Sequence, residues 1–219
     1  MRFASLSRAD PTKLHDSAIQ FLPSHFSLKS LRESAQGCRG CELFRHATQT
    51  VFGSGPAQAR LMIIGEVPGD QEDRQGKPFV GPAGKLLVQC LEAAGAARSE
   101  VYLTNAVKHF KWEQRGKRRL HTKPSMREIR ACRPWLEAEI EVVRPRTIVC
   151  LGATAAQTVF DRNFRLTQHL GKLMSSPLAH FVIATYHPSS ALRAPDLAER
   201  HRIKNRLIHD LKIAVKSAK

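Results

Sequence analysis

Residues 60–87 read RLMIIGEVPGDQEDRQGKPFVGPAGKLL. The stretch opens on an apolar run, RLMIIG, that is near-continuous rather than alternating. It breaks at Gly65 into a long loop rich in glycine and proline, and a helical pattern begins at Pro82. A short continuous apolar run fits a parallel strand buried on both faces. Three further runs share this character: VYLTNAV (101–107), RTIVCLG (146–152) and HFVIATYH (180–187). Helical patterns separate them, in PAGKLLVQCLEAAG (82–95), SMREIRACRPWLEAEIEVV (125–143) and GATAAQTVF (152–160). Strand alternating with helix predicts an α/β protein, a three-layer α/β/α sandwich around a central four-stranded, mostly parallel sheet. Open sheets of this kind bind ligands beyond the carboxyl ends of their strands. Those ends read GEVPGDQED, NAVKH, GATA and HPSSALR, and the site is expected among them.

Outside this alternation, SLKSLRESAQG (27–37) reads as a helix capped by Ser27 and stopped by Gly37. The C-terminal stretch from Leu197 reads as a helix with Ile203, Leu207, Leu211 and Val215 on one face and cations on the other. Residues 1–26 read as an arm or a short helix, and 27–219 as a single domain. A chain of 219 residues is long enough for one α/β domain with a full core. No apolar stretch reaches ~18 residues, which argues against a transmembrane span. The N-terminus lacks the apolar core and cleavage pattern of a signal peptide. These features lead to the expectation of a cytoplasmic, reducing setting. There, five cysteines point to metal or core roles over disulfides.

Charge is the outlier. Lys and Arg number 35 against 19 Asp and Glu, a net +16, clustered in 108–133 and 193–219. Such an excess favours a polyanionic partner, because each phosphate neutralised releases counterions. The densest run, RGKRRLHTKP (115–124), reads as a basic loop in which Lys117, Arg118 and Arg119 can meet phosphates. It also carries His121, whose imidazole is neutral near pH 7 and can act as a nucleophile. A purely solvated charge run is the plainer reading of the same residues.

In the loop after Gly65, Glu66, Asp70, Glu72 and Asp73 concentrate acids in a basic chain. A carboxylate beside a cationic channel can stabilise positive charge developing on a sugar. Phe79 is placed where a ring can stack on a base. Composition equally allows a structural loop with solvated acids and Phe79 in the core. His187 in HPSSALR can donate to an anionic leaving group, with Ser189 or Ser190 capping the next helix or touching phosphate. A histidine at a strand end is also often structural. Cys38 and Cys41 form a C-x2-C pair, a chelating spacing for zinc or an iron–sulfur cluster. Cys90 and Cys150 sit in apolar runs and read as buried small hydrophobes. Cys132 is then a third sulfur, and His109 is the best fourth ligand by position.

GEVPGDQEDRQGKPFVGPAG, YLTNAVK and HPSSALR together resemble the signatures of the uracil-DNA glycosylase superfamily. The C-x2-C pair with ACRPWL is similar to its iron–sulfur members, family four and relatives. GKRRLH after NAVKHF is similar to the loop of an X-type subgroup, whose members bind uracil in DNA and cross-link to it through a histidine. The resemblance covers about residues 30–215. It implies that Phe79 stacks on an extruded uracil and that Asn105 reads its polar edge. Val67, Gly69 and the backbone around them would help form the pocket. Glu66 and Asp70 would organise the reacting centre, and His187 would support the departing base. Arg193, with Ser189 and Ser190, joins the DNA contacts. Cys38, Cys41, Cys132 and His109 would hold a [4Fe–4S] cluster, with His109 where family four carries a fourth cysteine. Val67 stands where X-type members typically carry glutamine, and Leu120 where they carry isoleucine. The expected activity is excision of uracil from DNA, preferably single-stranded, by a monomer, ending in a bond between His121 and the sugar C1′. A glycosylase that turns over without an adduct, and a non-enzymatic metal-containing nucleic-acid-binding module, are the alternatives.

Overall fold

The computed structural model describes residues 17–219. The first sixteen residues of the expected arm lie outside the described residues. Strands β1 (Leu61–Gly65), β2 (Val101–Asn105), β5 (Thr147–Leu151) and β7 (Ala179–Thr185) run parallel. Strands β3 (Trp112–Arg115) and β4 (Arg118–His121) form a separate antiparallel hairpin, and β6 (Leu173–Ser176) lies antiparallel to β7. The sheet order is β2-β1-β5-β7-β6.

The sheet therefore has five strands where the sequence predicts four. The additional strand, β6, reads LMSS and sits at an edge, paired on one side only. It alternates exposed and half-buried residues, so it lacks the continuous apolar run that identifies the buried strands.

Helices follow in the order α1 (Leu28–Ala35), α2 (Asp70–Gln75), α3 (Pro82–Ala93), α4 (Met126–Val143), α5 (Ala153–Val159), α6 (Leu166–His169), α7 (Pro188–Leu192) and α8 (Leu197–Ala218). Strand alternation sorts the core into two layers. Leu61, Ile63, Leu103, Val149 and Ile183 face α3 and α8, where Leu87, Leu91, Leu207 and Leu211 meet them. Met62, Ile64, Ile148, Val182 and Ala184 face α4 and α5, packing on Leu136, Ile140, Ala156 and Val159. Cys90 and Cys150 are buried, one in each layer. On α8, Val215 is only partly buried, and Ala214 and Ala218 complete the buried stripe of Ile203, Leu207 and Leu211.

Local signals set the helix ends. Ser27 caps α1 in a capping box with Ser30, and Ser125 caps α4 in one with Glu128. A third cluster lies outside the sheet. Trp135 and Ile129 of α4 pack with Leu31, Cys38, Leu43 and Ala18. Ala18 belongs to a short 3-10 helix, Ala18–Phe21, so this part of the expected arm is packed against the domain. Gly40 permits the approach, since a Cβ there would lie 2.7 Å from the Ala18 nitrogen.

Leu211 is fully buried between α8 and the sheet. Leu211→Ala is expected to cost about 2–5 kcal/mol, from lost transfer energy and the cavity left behind. Urea unfolding of the two proteins measures it.

Candidate active site

The carboxyl ends of β1, β2, β5 and β7 open onto one cleft of about 860 Å³. Glu66 follows β1, Asn105 ends β2, Gly152 follows β5 and His187 follows β7, and all four line the cleft. Phe79 and His121 complete its wall. Val67, Gly69, Asp70, Ser189, Ser190 and Arg193 also border it. Of the proposed substrate-facing and DNA-facing residues, Lys117, Arg118 and Arg119 stand outside the lining, on the hairpin.

Two glycines let Asn105 and Phe79 take their places at the cleft. A Cβ on Gly65 would lie 2.3 Å from Asn105 Oδ1 and 2.7 Å from Phe79 Cζ. The bare end of β1 therefore lets the amide and the ring approach together. Phe79 has φ +58, a left-handed conformation costly for a bulky side chain. Gly84 of α3 accommodates it, because a Cβ there would strike the Phe79 carbonyl. The Asn105 side chain is buried at this point and has no hydrogen-bond partner among the described residues. Glu72, which is also buried, accepts the Gly81 N–H at 2.7 Å and closes the loop carrying Phe79.

The basic run 115–124 is not a loop. Residues Trp112–Arg115 and Arg118–His121 pair in register, with Gly116 at φ +59 in the tight turn. Alternation puts Arg119 and His121 on one face of β4. Arg119 donates to Asp70 Oδ1 at 2.6 Å and to Asp73 Oδ2 at 2.7 Å. Its guanidinium also lies 5.3 Å from the Phe110 ring and 5.4 Å from the Trp112 ring. Arg119 is thus engaged within the chain, whereas Lys117 and Arg118 are exposed. Asp70 is held by Arg74 and Arg119. Burial alone would raise its carboxyl, but those hydrogen bonds hold it below the usual carboxylate range. Asp70 and Arg119 pin the hairpin over the cleft and bring His121 to its mouth.

Both cleft histidines favour the neutral form. Burial pushes His187 down to about 4, with Arg193 and His121 adding to the effect. Its Nδ1 accepts the Ser189 backbone N–H at 3.2 Å, capping α7. That bond places the proton of the neutral ring on Nε2. His121 is exposed at the cleft mouth, and its pKa is lowered by partial desolvation, with Glu66 opposing and Arg193 adding to the shift. A neutral imidazole there keeps a lone pair for nucleophilic attack.

Three candidate cluster ligands meet in the third core cluster, with Cys132 on α4 and Cys38 and Cys41 packed against it. Cys38 accepts from Trp135 Nε1, and Cys132 accepts from the Lys108 backbone N–H, both at 3.2 Å. Burial raises Cys41 to about 11, and the neighbouring Cys38 adds to the rise. Cys132 is raised too, chiefly by burial, with Cys41 and Cys38 contributing. Among the described residues no three His, Cys, Asp or Glu side chains converge to hold one metal ion. A multi-iron cluster binds each ligand to a different iron and needs no such convergence. N–H groups aimed at sulfur suit its thiolates. His109 is buried, with Nε2 3.0 Å from Thr50 Oγ1, whose own hydrogen goes to the Ala35 carbonyl. Nε2 is therefore the donor, and Nδ1 keeps the lone pair a ligand needs. The donor set fits an iron–sulfur cluster.

Lys108 and Glu139 form a buried ion pair behind Asn105. Glu139 falls at helical core spacing from Cys132, Trp135 and Leu136, so an acid on a buried face was a readable signal.

His187 has a folded-state pKa well below the ordinary 6.5, so between about 6.5 and 4 the unfolded chain binds more protons. Stability is expected to fall as pH drops through that window. His187→Asn keeps an α7 cap and removes the titration. Urea unfolding midpoints at stepped pH should decline less for the variant than for the native protein.

A family model described as the uracil DNA glycosylase superfamily matches residues 52–212. The type-4 uracil-DNA glycosylase of Sulfurisphaera tokodaii is 37% identical over 179 residues, 78% of this chain and 78% of that protein. The type-4 uracil-DNA glycosylase of Archaeoglobus fulgidus is 35% identical over 192 residues, 84% of this chain and 93% of that protein. A type-5 uracil-DNA glycosylase of Pyrobaculum aerophilum is 28% identical over 179 residues, 74% of this chain and 75% of that protein. With four strand ends converging on one cleft and these relatives along most of its length, the chain belongs to the uracil-DNA glycosylase superfamily.

Proposed function

We propose that this chain excises uracil from DNA, and that His121 can capture the sugar left behind. One observation carries the second part: the pinned β3–β4 hairpin puts the His121 imidazole on the wall of the same cleft as Glu66, Asn105 and His187. The type-4 relatives favour the simpler outcome, in which water completes the reaction and the enzyme turns over. The position of His121 favours capture.

A base inside a duplex is out of reach, so the nucleotide is flipped or taken from a single strand, at a cost of a few kcal/mol. Exposed Lys117 and Arg118, with Arg193, Ser189 and Ser190 at the rim, supply phosphate contacts. The base enters beside Phe79, which stacks on it, while the unpartnered Asn105 amide reads its polar edge. Val67 and Gly69 bound the pocket beside Glu66. As the N-glycosidic bond breaks, its electron pair leaves with uracil N1. His187 Nε2–H donates to the developing anion, and the Glu66 carboxylate favours the cationic sugar. Water or an imidazole nitrogen of His121 then bonds to C1′. Held in place, the imidazole competes through its effective concentration. Capture leaves an N-glycosyl imidazolium and ends the cycle after one uracil.

Cys38, Cys41, Cys132 and His109 would hold a [4Fe–4S] cluster, which would cross-link the segment after α1 to α4 and to the end of β2. Its part here is structural support for the hairpin's base. Loss of a ligand in Cys132→Ser is expected to remove the broad visible absorption of the purified protein.

Incubation with uracil-containing single-stranded DNA, resolved on a denaturing gel and by released uracil, tests the function. Capture predicts a slow-migrating band, about one uracil per protein, and no such band from His121→Ala. Many uracils per protein with no adduct establish the turnover reading. A band that persists in His121→Ala removes His121 from the linking role.

A further inference from the structure

We propose that the buried Lys108–Glu139 ion pair is a positioning device for Asn105, fixing the amide that reads the base. This inference rests on the proposed uracil-excising function.

Lys108 is fully buried, and its Nζ spends all three hydrogens. They go to Thr104 Oγ1 at 2.6 Å, to the Asn105 carbonyl at 2.8 Å and to Glu139 Oε2 at 2.5 Å. Glu139, equally buried, accepts from Tyr102 Oη at 2.9 Å and from the Gly53 N–H at 3.0 Å through Oε1. Thr104 Oγ1 lies 2.9 Å from Glu139 Oε2. Every strong donor and acceptor of the pair is therefore matched inside the protein.

Such a pair is a poor choice for stability alone, since apolar residues of similar volume often do as well or better. What an apolar pair cannot supply is a donor for Asn105. Strand β2 is an edge of the sheet. On its open side Leu103 exchanges both backbone hydrogen bonds with Ser54. Two residues on, the Asn105 carbonyl faces the same side. There the Lys108 ammonium replaces the missing strand. The next residues are fixed from the end of β1 and the residue after it, where the Ala106 N–H donates to the Gly65 carbonyl and the Val107 N–H to the Glu66 carbonyl. The Asn105 peptide is thus held on both sides. Its side chain stands over Gly65 beside Phe79, with no side-chain partner among the described residues to hold it. Backbone anchoring is what sets its direction. The Lys108 backbone N–H also donates to Cys132 Sγ, so the same residue joins the base-reading strand end to the candidate cluster.

The test uses the full chain and a Lys108→Met/Glu139→Gln double variant, which is neutral and keeps an acceptor for Tyr102 and Gly53. Near-UV circular dichroism, the urea midpoint and visible absorption report whether fold and cluster persist. Two activity readouts follow: the single-turnover rate of uracil release, and the preference for uracil- over cytosine-containing strands in competition binding. A folded double variant is expected to lose roughly 10- to 100-fold in the first and about 10-fold in the second, with little change in affinity for undamaged DNA. A merely structural pair would leave rate and preference at native values once the fold is kept, and that result overturns the proposal. Should the double variant not fold, Thr104→Val removes one contact to the ammonium while keeping its charge partner. It is expected to lose several-fold in preference, and native preference in folded Thr104→Val overturns the proposal equally. Native protein assayed alongside separates the two levels: if it releases no uracil and forms no adduct, the proposed function has failed.

Discussion

The hydrogen bonds from Arg119 to Asp70 and Asp73 hold the candidate chemistry together. They join three segments far apart in sequence: the hairpin, the helix after β1 and, through Thr48, the loop before it. Asp73 is fully buried, and burying a carboxylate without a partner is expensive. The hairpin therefore cannot swing away without stranding that charge. Phe110 and Trp112 flank the guanidinium. One cation in a run that reads as a DNA-binding surface thus anchors that surface, and His121, two residues on, inherits its position.

A fully buried ion pair, Lys108–Glu139, lies behind the other wall of the cleft. Together the two pairs fix one edge strand end and one hairpin, the elements that a parallel sheet leaves least constrained. Between them the walls are set by what is absent. Gly65 and Gly84 have no side chains where Asn105 and Phe79 must pass. Removing either partner of a buried pair exposes the full cost of the charge left behind, which ordinarily reaches about 3–5 kcal/mol. Breaking the Lys108–Glu139 pair would therefore disturb fold and site together.

The electrostatics of the cleft follow from its depth. Desolvation lowers both histidines, strongly for His187 and less for the more exposed His121, and Arg193 adds to both shifts. The helix cap at His187 Nδ1 leaves its Nε2–H free to donate in the proposed reaction, and the proposed role of His121 uses its ring lone pair. The two rings are held differently, one by a helix cap and the other by a strand.

Sequence by itself determined the alternation of four apolar strands with helices, and with it the location of the cleft at the strand ends. Burial on both faces leaves a continuous apolar run, and such runs are local. It also determined the helix caps at Ser27 and Ser125, which depend on residues three positions away. The edge strand β6 and the β3–β4 hairpin were decided by tertiary structure. Their residues are polar, and they pair because neighbouring elements hold them. The inward turn of Arg119 depends on carboxylates 46 and 49 positions away, and the Lys108–Glu139 contact spans 31. A charged side chain has the same local signature whether it meets solvent, phosphate or a buried partner. Only the folded chain, by placing an opposite charge beside it, decides which.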